Sequence, residues 1–131
     1  MNTPSLPLAR LLNHAADAIQ AVRAGHSLNA ALARCPADAR PGTQALSFQV
    51  LRLMGSAEAA RALLAPKPPP ATADALLLSA LALLWPCDDP PYPEHTLVDQ
   101  AVTAAQQRPK ANAPFVNAVL RRALTRKVIG G

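Results

Sequence analysis

Phe115-Val116-Asn117-Ala118-Val119-Leu120-Arg121-Arg122 decides how the rest of this chain is read. It opens a proline-free run over residues 115–131. At about 3.6 residues per turn, Phe115, Val116, Val119, Leu120 and Ala123 share one side of a helix. Asn117 and Arg121, four apart, share another, flanked by Ala118 and Arg122. Such a helix turns an apolar side to a core and a short polar, cationic side to water or a partner.

Working outward, the question is what kind of scaffold holds this helix. The chain has 131 residues, enough for one domain with its own core. Half of its residues are apolar, which argues against disorder. Ala and Leu dominate and glycine is scarce, favouring helix over sheet. Its 14 prolines fall between five long windows, residues 8–35, 42–65, 71–85, 94–108 and 115–131. Proline disrupts a helix interior but suits first turns and connectors, so the prolines mark the joints of a helical bundle.

The formal charge of +5 is unevenly placed. Residues 1–107 hold seven Lys/Arg and eight Asp/Glu, whereas residues 108–131 hold six cations and no acid. The cations of that segment are Arg108, Lys110, Arg121, Arg122, Arg126 and Lys127. A patch of this kind fits a nucleic-acid partner through phosphate neutralisation. It equally fits a C-terminal helix that places cations at the negative end of its dipole. Charge alone does not separate the two.

Six to seven helices are expected and no strand. The first covers residues 6–24, with Leu8, Leu11, Leu12, Ala15, Ile19 and Val22 inward and Gly25 as the residue that ends it. Ser27 caps a short helix over residues 28–35, with Leu28, Ala31, Leu32 and Cys35 inward. Residues 38–42 read as a connector or an entry turn. A third helix follows over residues 43–54, its stripe built on Ala45, Phe48, Leu51 and Met54 and widened by Val50 and Leu53. Ser56 caps a fourth to residue 65, with Ala59, Ala60, Leu63 and Leu64 inward. Residues 66–70 form a stiff proline joint.

Thr72 then caps a helix with Asp74 in its first turn. Leu76, Leu77, Leu78, Leu81, Leu83, Leu84 and Trp85 cover nearly its whole circumference, so it belongs at the centre of the bundle. Residues 87–93 read as a loop. The next helix runs from Glu94 or Thr96 to residue 107, with Thr96 and Asp99 as a start signal, and turns Leu97, Val98, Ala101, Val102 and Ala105 inward. Arg108-Pro109-Lys110 is a basic turn, and Pro114 sits in the first turn of the last helix.

The sequence holds no Gly-rich phosphate loop, HExxH or paired CxxC, and no Ser/His/Asp arrangement with a recognisable context. Cys35 and Cys87 read as reduced thiols of a cytoplasmic protein, Cys35 as a small core residue. His14 reads as a surface residue. Adjacent Asp88 and Asp89, with Glu94 and His95, read as solvated loop charges, and no metal site is expected. The longest apolar run, residues 75–85, is too short for a bilayer, which needs roughly 20 residues. Of the aromatics Phe48, Trp85, Tyr92 and Phe115, three fall in apolar stripes or runs. RNA contact would therefore rely on helix faces and cations rather than a base-stacking sheet.

The closing stretch, residues 115–122, resembles that of the NusB-like fold in its methyltransferase version. Gly25-His26-Ser27-Leu28-Asn29-Ala30-Ala31-Leu32, the leucine-rich residues 74–85 and Leu97-Val98-Asp99-Gln100-Ala101-Val102 follow the same order. The resemblance spans residues 8–126. It is to the all-helical RNA-binding domain shared by the NusB antitermination factors and the N-terminal region of ribosomal RNA small subunit methyltransferase B, the Sun/Fmu type. The arginine-rich N-terminus of the antitermination factor has no counterpart here beyond Arg10 and Arg23.

The resemblance implies a single NusB-like bundle over residues 1–131, with flexible ends at 1–5 and 127–131. It implies an accessory domain of an enzyme that makes 5-methylcytosine in small-subunit rRNA using S-adenosylmethionine. The cofactor pocket and catalytic cysteines would lie in a following Rossmann-like domain, so no catalytic, cofactor or metal residue is assigned to this segment. Small-subunit rRNA and the chain's own C-terminal methyltransferase domain are the expected partners, and no membrane. Contact candidates are Arg108, Lys110, Asn117, Arg121, Arg122, Arg126 and Lys127. Asn117 and Arg121 also have structural readings: Asn117 bonded to a neighbouring helix end or loop, Arg121 paired with an acid such as Asp99 or fixing a helix end. The alternatives are a protein-interaction module and a free-standing antitermination factor.

Overall fold

The computed structural model describes residues 7–85 and 90–126, the last of these by its backbone alone. Seven helices, and no strand among the described residues, make the protein all-α. They are α1 (Leu8–Arg23), α2 (Leu28–Ala33), α3 (Arg40–Arg52), α4 (Met54–Leu64), α5 (Ala71–Leu84), α6 (Glu94–Gln106) and α7 (Ala113–Arg126).

Helix α5 is the axis of the bundle. Every residue from Ala73 to Leu84 is buried, and α1, α3, α4, α6 and α7 all pack against it. The all-round leucine pattern dictates this place, because an apolar circumference is stable only when covered on every side. Ser79 survives there by donating its hydroxyl to the Ala75 carbonyl at 2.7 Å. Short α2 touches only α1 and α3.

The helix ends show how local chemistry sets the boundaries. Gly25, at φ +104°, ends α1 as expected. Its N–H bonds the Val22 carbonyl and the His26 N–H bonds the Ala21 carbonyl, the paired closure typical of a glycine-terminated helix. Ser27 Oγ accepts the Ala30 N–H at 3.1 Å and starts α2. Arg40 closes α2 from outside, donating to the carbonyls of Leu32 at 3.1 Å and Cys35 at 2.9 Å.

Other starts depart from the sequence reading. Arg40 and Pro41, expected in a connector or an entry turn, form the first turn of α3, since proline lacks the N–H that a first turn leaves unbonded anyway. Ser56 and Thr72 are not caps: α4 begins at Met54 and α5 at Ala71, directly after the extended Pro70. Helix α6 begins at Glu94 after Pro93, the earlier of its two expected starts, and Thr96 lies inside it. At α1, where Pro7 offers no capping side chain, Gln100 of α6 accepts the Ala9 N–H at 3.1 Å.

Two inner faces also differ. Helix α3 buries Thr43, Leu46, Ser47 and Val50, leaving Ala45 outside and Phe48 56% exposed. Helix α4 buries Ala57, Ala60 and Leu64, with Ala59 outside and Leu63 71% exposed. Both helices carry apolar residues around much of their circumference, so the period alone leaves the facing direction open. On α3 the small side chains win at the contact: Gly42 faces Leu11, where a Cβ would stand 3.0 Å from a leucine methyl. Larger groups on that side would push α1 and α3 apart.

Candidate nucleic-acid interface

Helix α7 is seated by Val116, Val119, Leu120 and Ala123, all buried, with Phe115 half-buried at its start. The chain reverses out of α6 through Lys110 (φ 60°) and Asn112 (φ 53°). Asparagine tolerates this left-handed conformation better than most residues. Asn112 Oδ1 then accepts the Phe115 N–H at 3.2 Å and caps the helix.

On the outer side Arg121 Nε donates to Asn117 Oδ1 at 2.9 Å, one helical turn back. Its Nη2 donates to Asp99 Oδ1 of α6 at 3.3 Å. Asn117 therefore bonds within its own helix rather than to a neighbouring one, and Arg121 makes the acid pairing with Asp99. Both charged side chains are more than half exposed, so the pair adds about 0–1 kcal/mol to stability. Its geometric effect is greater: two acceptors hold a guanidinium at the surface, with no further acceptor for it among the described residues.

The remaining candidates are dispersed. Arg122 Nη1 donates to the Leu64 carbonyl at 3.1 Å and satisfies the C-terminal end of α4. Lys110 is exposed in the α6–α7 turn, at the opposite end of α7; Arg121 lies about 12 Å along the axis from Ala113, at about 1.5 Å per residue. Arg126 is the last residue of α7, and its side chain, with Lys127, lies outside the described residues. So do the ends 1–5 and 127–131, Cys87, Asp88 and Asp89.

Arg108 is the clearest departure from an exposed cationic edge. It is 8% exposed and bonded on all sides. Its Nε donates to the Thr72 carbonyl at 2.9 Å, Nη1 to Asp17 Oδ1 at 2.8 Å and the Asn13 carbonyl at 3.3 Å, and Nη2 to Gln20 Oε1 at 3.1 Å. A buried guanidinium needs this full set of acceptors to offset lost hydration. The residue ties α1 to α5 just past the end of α6, and the basic patch loses one member. Sequence reading had no access to this, because none of the partners is near residue 108 in the chain.

A second internal charge cluster lies about one turn further along the same side of α1. Asp74, buried in the first turn of α5, meets Arg23 Nη1 at 3.4 Å and Arg61 Nε at 3.2 Å. Arg61 and Asp74 are within ion-pair distance, but their alignment falls short of a hydrogen bond. Glu58 stands 3.9 Å from Arg23 at the rim.

Two further features escaped the sequence reading. The outer face of α3 borders a groove of about 410 Å³ lined by Ala45, Leu46, Gln49, Arg52, Leu83, Pro91 and Tyr92. The signal was the set of small residues Gly42, Thr43 and Ser47 marking the inner side, which puts Phe48 opposite. His14, Asp17, Arg34 and Cys35 line a smaller cavity of about 260 Å³, where the buried Cys35 thiol contacts Thr43 Oγ1 at 3.5 Å. Among the described residues no three His, Cys, Asp or Glu side chains group to hold a metal, and no helix is long and apolar enough to cross a membrane.

The geometry thus defines an all-α bundle with a small, ordered, cationic outer edge on its last helix. Compared with family models, curated proteins and solved structures, the chain matches none.

Proposed function

We propose that this bundle is a NusB-like, RNA-contacting accessory domain of an S-adenosylmethionine-dependent small-subunit rRNA cytosine-C5 methyltransferase, working in the cytoplasm. The observation that carries the RNA contact is Arg121, held at the surface by Asn117 and Asp99 in the segment that contains the whole basic excess of the chain. The methyltransferase assignment rests on the resemblance of residues 115–122. In this reading Arg121, Lys110 and the outer side of Arg122 neutralise phosphates, while S-adenosylmethionine and the reacting base belong to the following catalytic domain.

Leu63 supports the second expected partner, the chain's own catalytic domain. It is 71% exposed and precedes the residue whose carbonyl holds Arg122. An apolar side chain next to a fixed arginine is a composition that packed interfaces cover.

The test is binding to a small-subunit rRNA hairpin at two salt concentrations. The double variant Arg121→Glu/Arg122→Glu should bind more weakly, with a salt slope reduced by about 1–2. A helical, folded double variant that binds like the parent would overturn the RNA reading and leave α7 as a protein-facing helix.

A further inference from the structure

We propose that Asn117 and Asp99 are positioning residues that aim the open edge of the Arg121 guanidinium at the paired oxygens of one RNA backbone phosphate. This rests on the RNA-contact reading above and states how that contact is made.

A guanidinium carries five N–H donors in one rigid plane. In Arg121, Nε donates to Asn117 Oδ1 at 2.9 Å and Nη2 to Asp99 Oδ1 at 3.3 Å. Nη2 is the nitrogen on the Nε–H side of the group, so the two acceptors sit on that flank. Nη1 and the second N–H of Nη2 have no acceptor among the described residues. Arg10 shows the opposite arrangement: its Nη1 and Nη2 both donate to the carboxylate of Asp38, at 3.1 Å each, which closes the end of the fork. Arg121 is held from the side and left open at the end.

The hold comes from two helices. Asp99 stands on α6 and Asn117 on α7. Leu97 and Val98 seat the first, Val116 and Leu120 the second, all of them fully buried. The two acceptors therefore have fixed places. Folding gains little from the arrangement, because Arg121 and Asp99 are both more than half exposed. What it fixes is the direction of the guanidinium.

A backbone phosphate presents two non-bridging oxygens, which match the parallel N–H pair at the end of a guanidinium. Asp99 offsets part of the positive charge of Arg121, so the contact draws on the fork more than on net charge. Lysine, a point charge without a fork, is then a poor substitute. A side chain that is already held also loses less rotamer freedom when the phosphate binds.

The experiment measures binding of the full chain to the small-subunit rRNA hairpin at two salt concentrations. Asn117→Ala removes no charge and puts a better helix former into α7, so the fold is kept. It should weaken binding about 2- to 10-fold, the range for immobilising one flexible side chain, at an unchanged salt slope. Arg121→Lys should do the same. In an Arg121→Ala background, Asn117→Ala should have no further effect, because Asn117 acts only through Arg121. A purely structural role would weaken both backgrounds alike.

The positioning role is overturned if Asn117→Ala or Arg121→Lys binds like the parent, or if Asn117→Ala costs as much without Arg121 as with it. Should Arg121→Glu/Arg122→Glu still weaken binding in that case, the RNA contact of α7 stands without it. If the parent does not bind the hairpin, both readings fall together.

Discussion

Arg108 Nη1 donates to Asp17 Oδ1 at 2.8 Å across 91 residues of chain. The two ends of this ion pair are unequal: the arginine side chain is 5% exposed and the aspartate 66%. Removing Asp17 leaves the buried Arg108 without a counter-charge but with three neutral acceptors, and costs about 1–2 kcal/mol. Removing Arg108 strands the Thr72 carbonyl and Gln20 and opens a hole among α1, α5 and α6. Arg108→Ala should therefore destabilise by about 2–4 kcal/mol, as for lost bonds to a buried charged group. Urea unfolding of the two single variants checks this, and similar midpoints would contradict the asymmetry.

The Asp74 cluster makes a second contrast. Asp74→Asn keeps the shape but leaves Arg61, only 15% exposed, facing a neutral amide. A loss of about 2–4 kcal/mol is expected, toward the range for a buried pair broken on one side. Glu58→Gln, at the rim of the same cluster, should stay within about 0.5 kcal/mol of the parent. Thermal unfolding of both variants, side by side, measures the difference.

Asp38 gives the pH prediction. Both oxygens of its carboxylate accept from Arg10, at 3.1 Å each. The side-chain hydrogen bonds from Arg10 hold its pKa below the ordinary value of 3.8. A carboxyl with a lowered folded-state pKa contributes stability that is complete above the unfolded value and is lost as pH falls through the folded one. The stability difference between the parent and Asp38→Asn should thus be constant near neutrality, shrink below pH 3.8 and vanish at still lower pH. Denaturation midpoints across that range test it; a difference that grows on acidification would reverse the sign.

The α1–α2 junction should respond to backbone chemistry alone. Nothing lies within 4 Å of a Cβ placed on Gly25, yet its φ is +104°. Gly25→Ala is therefore expected to cost about 1 kcal/mol or somewhat more through conformation, without a clash. Ser27→Ala removes the cap on Ala30 and should cost about 1 kcal/mol. Because the two residues flank His26 in one turn, the double variant is a test of coupling: an effect well below the sum would mean that α2 is already lost in either single variant.

Helix α7 separates packing from charge. Leu120→Ala deletes a fully buried side chain and should cost about 2–5 kcal/mol. Arg121→Ala should cost less than about 1 kcal/mol, since Asp99 and Asn117 return to solvent. Arg122→Ala falls between, at about 0.5–1.5 kcal/mol, by freeing the Leu64 carbonyl. Circular-dichroism melts of the three rank them directly.

Most of the architecture was written in the sequence by itself. Proline spacing bounded the windows, the all-round leucines of residues 76–84 put α5 at the centre, and Gly25 and Ser27 marked their turn. These are local signals, fixed by backbone sterics and by one helix period, and need no knowledge of neighbours. The face of α7 was equally legible, because Val116, Val119, Leu120 and Ala123 leave one apolar stripe and no competing one. Tertiary structure alone decided the rest. It turned Phe48 and Leu63 outward, since helices apolar on several sides take the orientation that lets small residues pack closest. It also drew Arg108 inside, because a guanidinium can be buried wherever distant helices happen to supply enough acceptors. Charge is visible in a sequence, whereas the acceptors that use it up are chosen by the fold.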